Sequence, residues 1–127
     1  MNGLPEDVHR FLYQYIESVE QLEVLLLLRQ APDRGWTAED VARALYSHPS
    51  SVSSRLALLM GQGMLREIGP GSYQYAPRSI ESHDTVTRVA DTYRERRVAV
   101  ITLIASKPLE NVRAFSDAFR IRRAKEE

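Results

Sequence analysis

Ser50, Ser51, Ser53 and Ser54 are followed at once by Arg55, a run of hydroxyls closed by a guanidinium. Hydroxyls both donate and accept, and a guanidinium offers a rigid fork of donors. The run therefore suits contact with phosphates, base edges or another polar surface. It does not suit covalent chemistry, because no base-and-orienter pair accompanies it. His48 stands just before Pro49, and His9 and His83 are isolated, with no metal-like spacing. No cysteine is present, which excludes disulfides, thiolate metal sites and thiol nucleophiles. No glycine-rich phosphate loop and no paired carboxylates in a cleft context appear. Neither an enzyme nor a cofactor or metal is expected.

These residues need elements to position them. Pro5, Glu6 and Asp7 suit a helix start, and Val8, Phe11, Leu12 and Tyr15 recur at helical spacing. A short helix over about 5–16 is expected, packed on the main body or on a second subunit. Ser18 and Gln21 match a capping box, with Gln21 reaching back to the cap. The leucine-rich helix that follows must stop before Pro32. Trp36 begins a short strand and belongs to the core. Thr37 caps a helix with Val41, Ala42 and Leu45 inward. Tyr46-Ser47-His48-Pro49 breaks it. The next helix, about 49–62, turns Val52, Leu56, Leu59 and Met60 inward and leaves Ser50, Ser51, Ser54, Arg55 and Leu58 outward. Gly63 suits a left-handed cap. Strands over 64–68 and 72–76 flank the Gly69-Pro70-Gly71 turn, with Tyr73 and Tyr75 on one face.

Beyond Pro77, residues 79–106 read as one long helix, with Val86, Val89, Ala90, Tyr93, Val100 and Ile104 near a seven-residue repeat. Strand propensity over 98–104 leaves a strand there as the alternative. Ser106-Lys107-Pro108 breaks the chain. A last helix over about 109–123 carries Leu109, Val112, Phe115 and Phe119 on one stripe. The expected division is therefore 1–17, an N-terminal helix; 18–77, a helical unit with a hairpin; and 78–127, a helical extension.

At 43% hydrophobic and 27% charged, the composition is that of an ordinary globular protein. Acids and a proline occupy Met1–Val8 where a leader would be apolar, and no apolar run is long enough to span a bilayer. A cytoplasmic location and no membrane contact are expected. The formal net charge is zero, but residues 1–77 carry −3 and residues 78–127 carry +3.

The ordered set Trp36–Leu45, Pro49–Leu59 and Gly63–Glu67 resembles the second helix, the recognition helix and the wing entry of winged helix-turn-helix proteins, the MarR-like bacterial regulators among them. The resemblance covers about 60 residues. It implies a mainly α fold with a small β-hairpin, followed by a long helical dimerisation extension. It also implies sequence-specific binding of double-stranded DNA by a homodimeric transcriptional regulator, the third helix lying in the major groove. The DNA contacts it implies are Thr37, His48, Ser50, Ser51, Ser53, Ser54, Arg55, Arg66 and Ser72, with Arg55 as the bidentate reader. The dimer or partner interface would comprise Val86, Val89, Tyr93, Val100, Ile104, Leu109, Val112, Phe115 and Phe119.

The sequence departs from that pattern in three places. Leu58 stands where a regulator usually carries a cation, the turn Gly69–Ser72 has no positive charge, and the winged region is acidic. Phosphate neutralisation supplies most non-specific DNA affinity. Any basic surface would have to come from Arg78, Arg88, Arg94, Arg96 and Arg97. The competing expectation is a winged helix used as a protein–protein interaction module without DNA binding, with the C-terminal stripe as a docking surface.

Overall fold

The chain is a series of amphipathic helices interrupted by capping residues, and the computed structural model, which describes residues 3–107, follows that punctuation closely. The helices are α1 (Glu6–Tyr15), α2 (Val19–Gln30), α3 (Ala38–Leu45), α4 (Pro49–Gly61) and α5 (Ile80–Glu95). A sixth, α6, covers 97–107. The strands are β1 (Trp36–Thr37), β2 (Leu65–Gly69) and β3 (Ser72–Tyr75). They form an antiparallel sheet in the order β1-β3-β2. The fold is thus mainly helical with a small three-stranded sheet.

Local hydrogen bonds explain the boundaries. The Ser18 hydroxyl accepts from the Gln21 N–H at 3.1 Å and opens α2. The Gln21 amide does not return to that cap. It accepts from the Glu17 N–H at 2.7 Å and donates to the Tyr15 carbonyl and to the Gln62 side chain. Gln21 is fully buried, so its amide must be satisfied, and it ties the α1–α2 turn to the end of α4. Thr37 and Asp40 form a reciprocal capping box on α3. Gly63, at φ +81°, closes α4: its N–H reaches the Met60 carbonyl and the Met64 N–H reaches that of Leu59.

One apolar cluster joins every helix. Val8, Phe11 and Leu12 of α1 pack with Leu22, Leu25 and Leu28 of α2, with Val52, Leu56 and Leu59 of α4, and with Val86 and Val89 of α5. Each such aliphatic side chain stabilises the fold by about 1.5–3 kcal/mol on full burial. Residues 3–17 and 78–107 therefore share the core of 18–77 rather than standing apart from it. Trp36 is buried as expected, with the Arg34 guanidinium stacked 3.6 Å from its ring centre. Met60, expected inward, is instead 37% exposed.

The single long helix expected over 79–106 is divided. Arg96 leaves helical geometry at φ −131°, ψ 50°, between α5 and α6. The segment 98–104 is helical, not a strand. No proline or glycine marks this break. Its physical reason is packing: the change of direction puts Val100 and Ile104 into the same core as Val86 and Val89. An uninterrupted helix would carry them away from it.

Candidate functional site

The candidate site is built on α4 and the turn before it. Pro49 occupies the first turn of α4, where its missing N–H costs nothing. Val52, Leu56 and Leu59 face the core. Ser50, Ser53, Ser54 and Ala57 are exposed. Their spacing of three, one and three residues makes one outward stripe of about 10 Å.

Two residues expected on that stripe are held elsewhere. The Arg55 Nε donates to Glu20 Oε1 at 3.1 Å, and the Ser51 hydroxyl donates to Glu20 Oε2 at 3.2 Å. Ser47 donates to the same carboxylate. Glu20 lies on the first turn of α2, so one carboxylate clasps the turn and the first two turns of α4 against α2. The side chains of Arg55 and Glu20 are only 32% and 24% exposed. Burial pushes the Glu20 carboxyl up. The hydrogen bonds from Ser47, Arg55 and Ser51, together with the Arg55 charge, outweigh that and hold it below the ordinary carboxylate value. Arg55, expected as the bidentate reader, is thus ion-paired through its Nε on the α2 side of α4.

The other expected contacts divide. His48 is exposed and forms the N-cap of α4 without a side-chain cap bond. Thr37 is half-buried and committed to the α3 capping box, its hydroxyl accepting from the Asp40 N–H at 3.1 Å. Arg66 is exposed on β2 and donates twice to the Gln74 side chain across the hairpin, at 3.1 and 2.8 Å. Ser72 is half-buried in the strand pair. The structure thus brings His48, Ser50, Ser53 and Ser54 together and leaves Thr37, Arg66 and Ser72 on other elements.

A further correction concerns the partner interface. Val86, Val89 and Val100 are fully buried, and Ile104 and Tyr93 are nearly so, all within this chain's own core. Their repeat is real, but it faces α1 and α2 rather than a second copy. The Tyr93 hydroxyl donates to Glu23 of α2 at 3.2 Å, and the Arg97 guanidinium lies 4.9 Å from its ring centre. Leu109, Val112, Phe115 and Phe119 lie outside the described residues.

One surface residue had escaped the sequence reading. Tyr46, between α3 and α4, is 97% exposed and has φ +55°. A tyrosine in the left-handed region is uncommon, and its residue type does not announce it. The available signal was the short break Tyr46–Pro49 between two helices, which requires a sharp turn.

The exposed stripe carries no charged side chain. Of the basic residues nearest in sequence, Arg43 is exposed on α3, 4.0 Å from Asp40, and Arg55 is engaged. α4 also has no acid in its first turn, whereas α1, α2, α3 and α5 all do. His83, isolated in the sequence, accepts or donates a 2.8 Å bond with the Tyr75 hydroxyl, which is a packing role. Among the described residues no group of acids and histidines could hold a metal, and no helix is long and apolar enough to cross a membrane. No protein family, no curated protein and no solved structure matches this chain.

Proposed function

We propose that this chain is a winged helix-turn-helix protein that binds double-stranded DNA as a transcriptional regulator, with the first half of α4 entering the major groove. The observation that carries the reading is the exposed outward face of the N-terminal half of α4. It combines an outward stripe of Ser50, Ser53, Ser54 and Ala57 with a helix start that has no side-chain cap and no acid. Small side chains permit close approach, hydroxyls donate to phosphate and base edges, and an uncapped helix start offers N–H donors to an anion. The order of α2, β1, α3, α4 and the β2–β3 hairpin is the order the family requires. With Arg55 held by Glu20, few cations contribute, so the binding is expected to be weak with a shallow salt dependence. Pairing of two copies through Val86, Val89, Tyr93, Val100 and Ile104 is no part of the proposal, because those side chains are core.

Fluorescence anisotropy with mixed-sequence duplexes at about 50 mM salt tests it. Micromolar wild-type protein should bind, and Ser53→Glu and Ala57→Glu should each weaken binding severalfold. No binding by the wild type, or unchanged binding by both variants, ends the proposal.

A second reading has its own observation. The stripe is uncharged, and Tyr46, in the short turn before α4, is an exposed aromatic side chain of the kind that anchors protein interfaces. A protein-interaction module would leave the anisotropy flat while Tyr46→Ala and Ala57→Glu disrupted a partner complex.

A further inference from the structure

Two contacts between α2 and α5 frame a cleft. At one end the Arg29 guanidinium donates to the Thr87 hydroxyl at 3.0 Å. At the other the Tyr93 hydroxyl donates to Glu23 at 3.2 Å. The two helices therefore run antiparallel here, and the contacts are six residues apart on each, about 9 Å at helical rise. The cleft has a volume of about 540 Å³, within the range of small-molecule sites. Arg29 lines one end, and Glu23 and Tyr93 line the other. The wall between them is aliphatic: Leu26 and Leu27 of α2, Ala90 of α5 and Leu45 of α3. The three leucines are only partly buried.

The charges lining this cleft do not balance. Arg29, Arg94 and Arg97 stand against Glu23 and Asp91, three cations to two anions. Asp91 is taken by Arg94 at 3.1 Å and Glu23 by Arg97 at 3.4 Å. Arg29 is left over. Among the described residues it has no ion pair, and Thr87 is its only hydrogen-bond partner. It is half-buried, and its Nε, shielded from solvent, has no acceptor. A guanidinium drawn this far out of water ordinarily keeps a carboxylate beside it. Arg29 has only the partial negative charge at the C-terminal end of α2 and one hydroxyl.

We propose that the cleft binds a small aliphatic monocarboxylate, with its head on Arg29 and its chain running along Leu26, Leu27, Ala90 and Leu45 toward Tyr93. One negative charge matches the one unpaired cation. A second would meet Glu23 and Asp91, so a dicarboxylate is disfavoured. The leucine and alanine walls offer no donor or acceptor, so they recognise a chain by the apolar area it covers. An extended eight-carbon acid is comparable in length to the distance between the two framing contacts. Carboxylate and guanidinium meet as a forked pair, which fixes the orientation of the ligand. No residue of α4 lines the cleft, so the site stands independently of what α4 binds.

Calorimetric titration of the full chain at neutral pH tests this with octanoate, octanamide, octanedioate and acetate. Octanoate should bind one to one, roughly tenfold or more tighter than each of the others. The amide lacks the charge, the diacid carries one too many, and acetate lacks the chain. Arg29→Met keeps a flexible apolar side chain and should weaken octanoate about tenfold while leaving octanamide unchanged. Arg29→Lys, which keeps the charge but not the fork, should retain part of the octanoate affinity. No octanoate binding at millimolar concentration would overturn the proposal. So would equal affinity for octanoate and octanamide, or octanoate binding untouched in Arg29→Met. Circular dichroism checks each variant. If Arg29→Met fails to fold, Ala90→Phe decides: it fills the cleft and leaves Arg29 in place, and an unchanged octanoate affinity there would overturn the proposal.

Discussion

Glu20 holds together the segment that positions the candidate site, and its replacement has a calculable effect. In Glu20→Ala the carboxylate loses Arg55, Ser51 and Ser47 at once. The Arg55 pair is about a third exposed and contributes about 0.5–1 kcal/mol after solvent screening. Each hydroxyl hydrogen bond contributes about 0.5–1 kcal/mol net. The expected loss is about 2 kcal/mol, which for a chain of this size lowers the midpoint of thermal unfolding by roughly 8 °C. Glu20→Gln keeps the shape and removes the charge, so it should lose about half as much. The pH dependence has a definite sign. The Glu20 carboxyl is held below its ordinary value of 4.5, so its stabilisation is complete above that value. It is lost as the pH falls below 4.5 through the lowered folded-state value. The gap between wild type and Glu20→Gln should therefore close in acid. Thermal denaturation followed by circular dichroism, at neutral pH and through the acid range, measures both effects. A Glu20→Gln protein as stable as wild type at neutral pH would refute the reasoning, and so would a gap that persists unchanged in acid. The same substitution releases the Arg55 cation beside the α4 stripe. If α4 binds DNA, the salt-dependence slope should then steepen by about 0.9.

Three further outcomes follow from other positions. Gly63→Ala places a Cβ 2.6 Å from the Arg78 guanidinium at a φ of +81°, and should cost about 1 kcal/mol or more in urea unfolding; the movable Arg78 side chain relieves the clash but not the backbone strain. Tyr46→Gly should instead stabilise the protein by about 0.5–1 kcal/mol, because glycine accepts φ +55° and a 97% exposed ring contributes little packing. Lys107 is buried against the end of α1, and burial lowers its pKa from 10.5 despite the nearby Glu17. Charging it therefore opposes folding, and a neutral amine still has two protons for its two carbonyl acceptors; wild type should gain stability relative to Lys107→Met as the pH rises through the lowered value toward 10.5, measured by chemical denaturation across that range.

Local chemistry made much of this fold legible. Ser18, Thr37 and Gly63 announce helix ends because capping depends on a side chain or a φ value at one position. The strands around Gly69-Pro70-Gly71 were legible from alternation and turn residues, and the structure moves their bounds by only a residue. The break at Arg96 was not legible, because no residue type there forbids helix; only the need to bury Val100 and Ile104 in the shared core bends the chain.

The candidate site divides along the same line. The sequence by itself determined that α4 begins at Pro49, that it turns Val52, Leu56 and Leu59 inward, and that Ser50 and Ser54 face out. Helical period and composition suffice for those statements. Tertiary structure alone decided what Arg55 and Ser51 do, because their partner Glu20 lies 35 and 31 residues away on α2. It likewise decided that the apolar repeat of Val86 to Ile104 faces inward. A hydrophobic stripe states that a surface must be covered, and an arginine states that a charge must be satisfied. Neither names its partner, since that depends on which helices the packing of one core brings side by side.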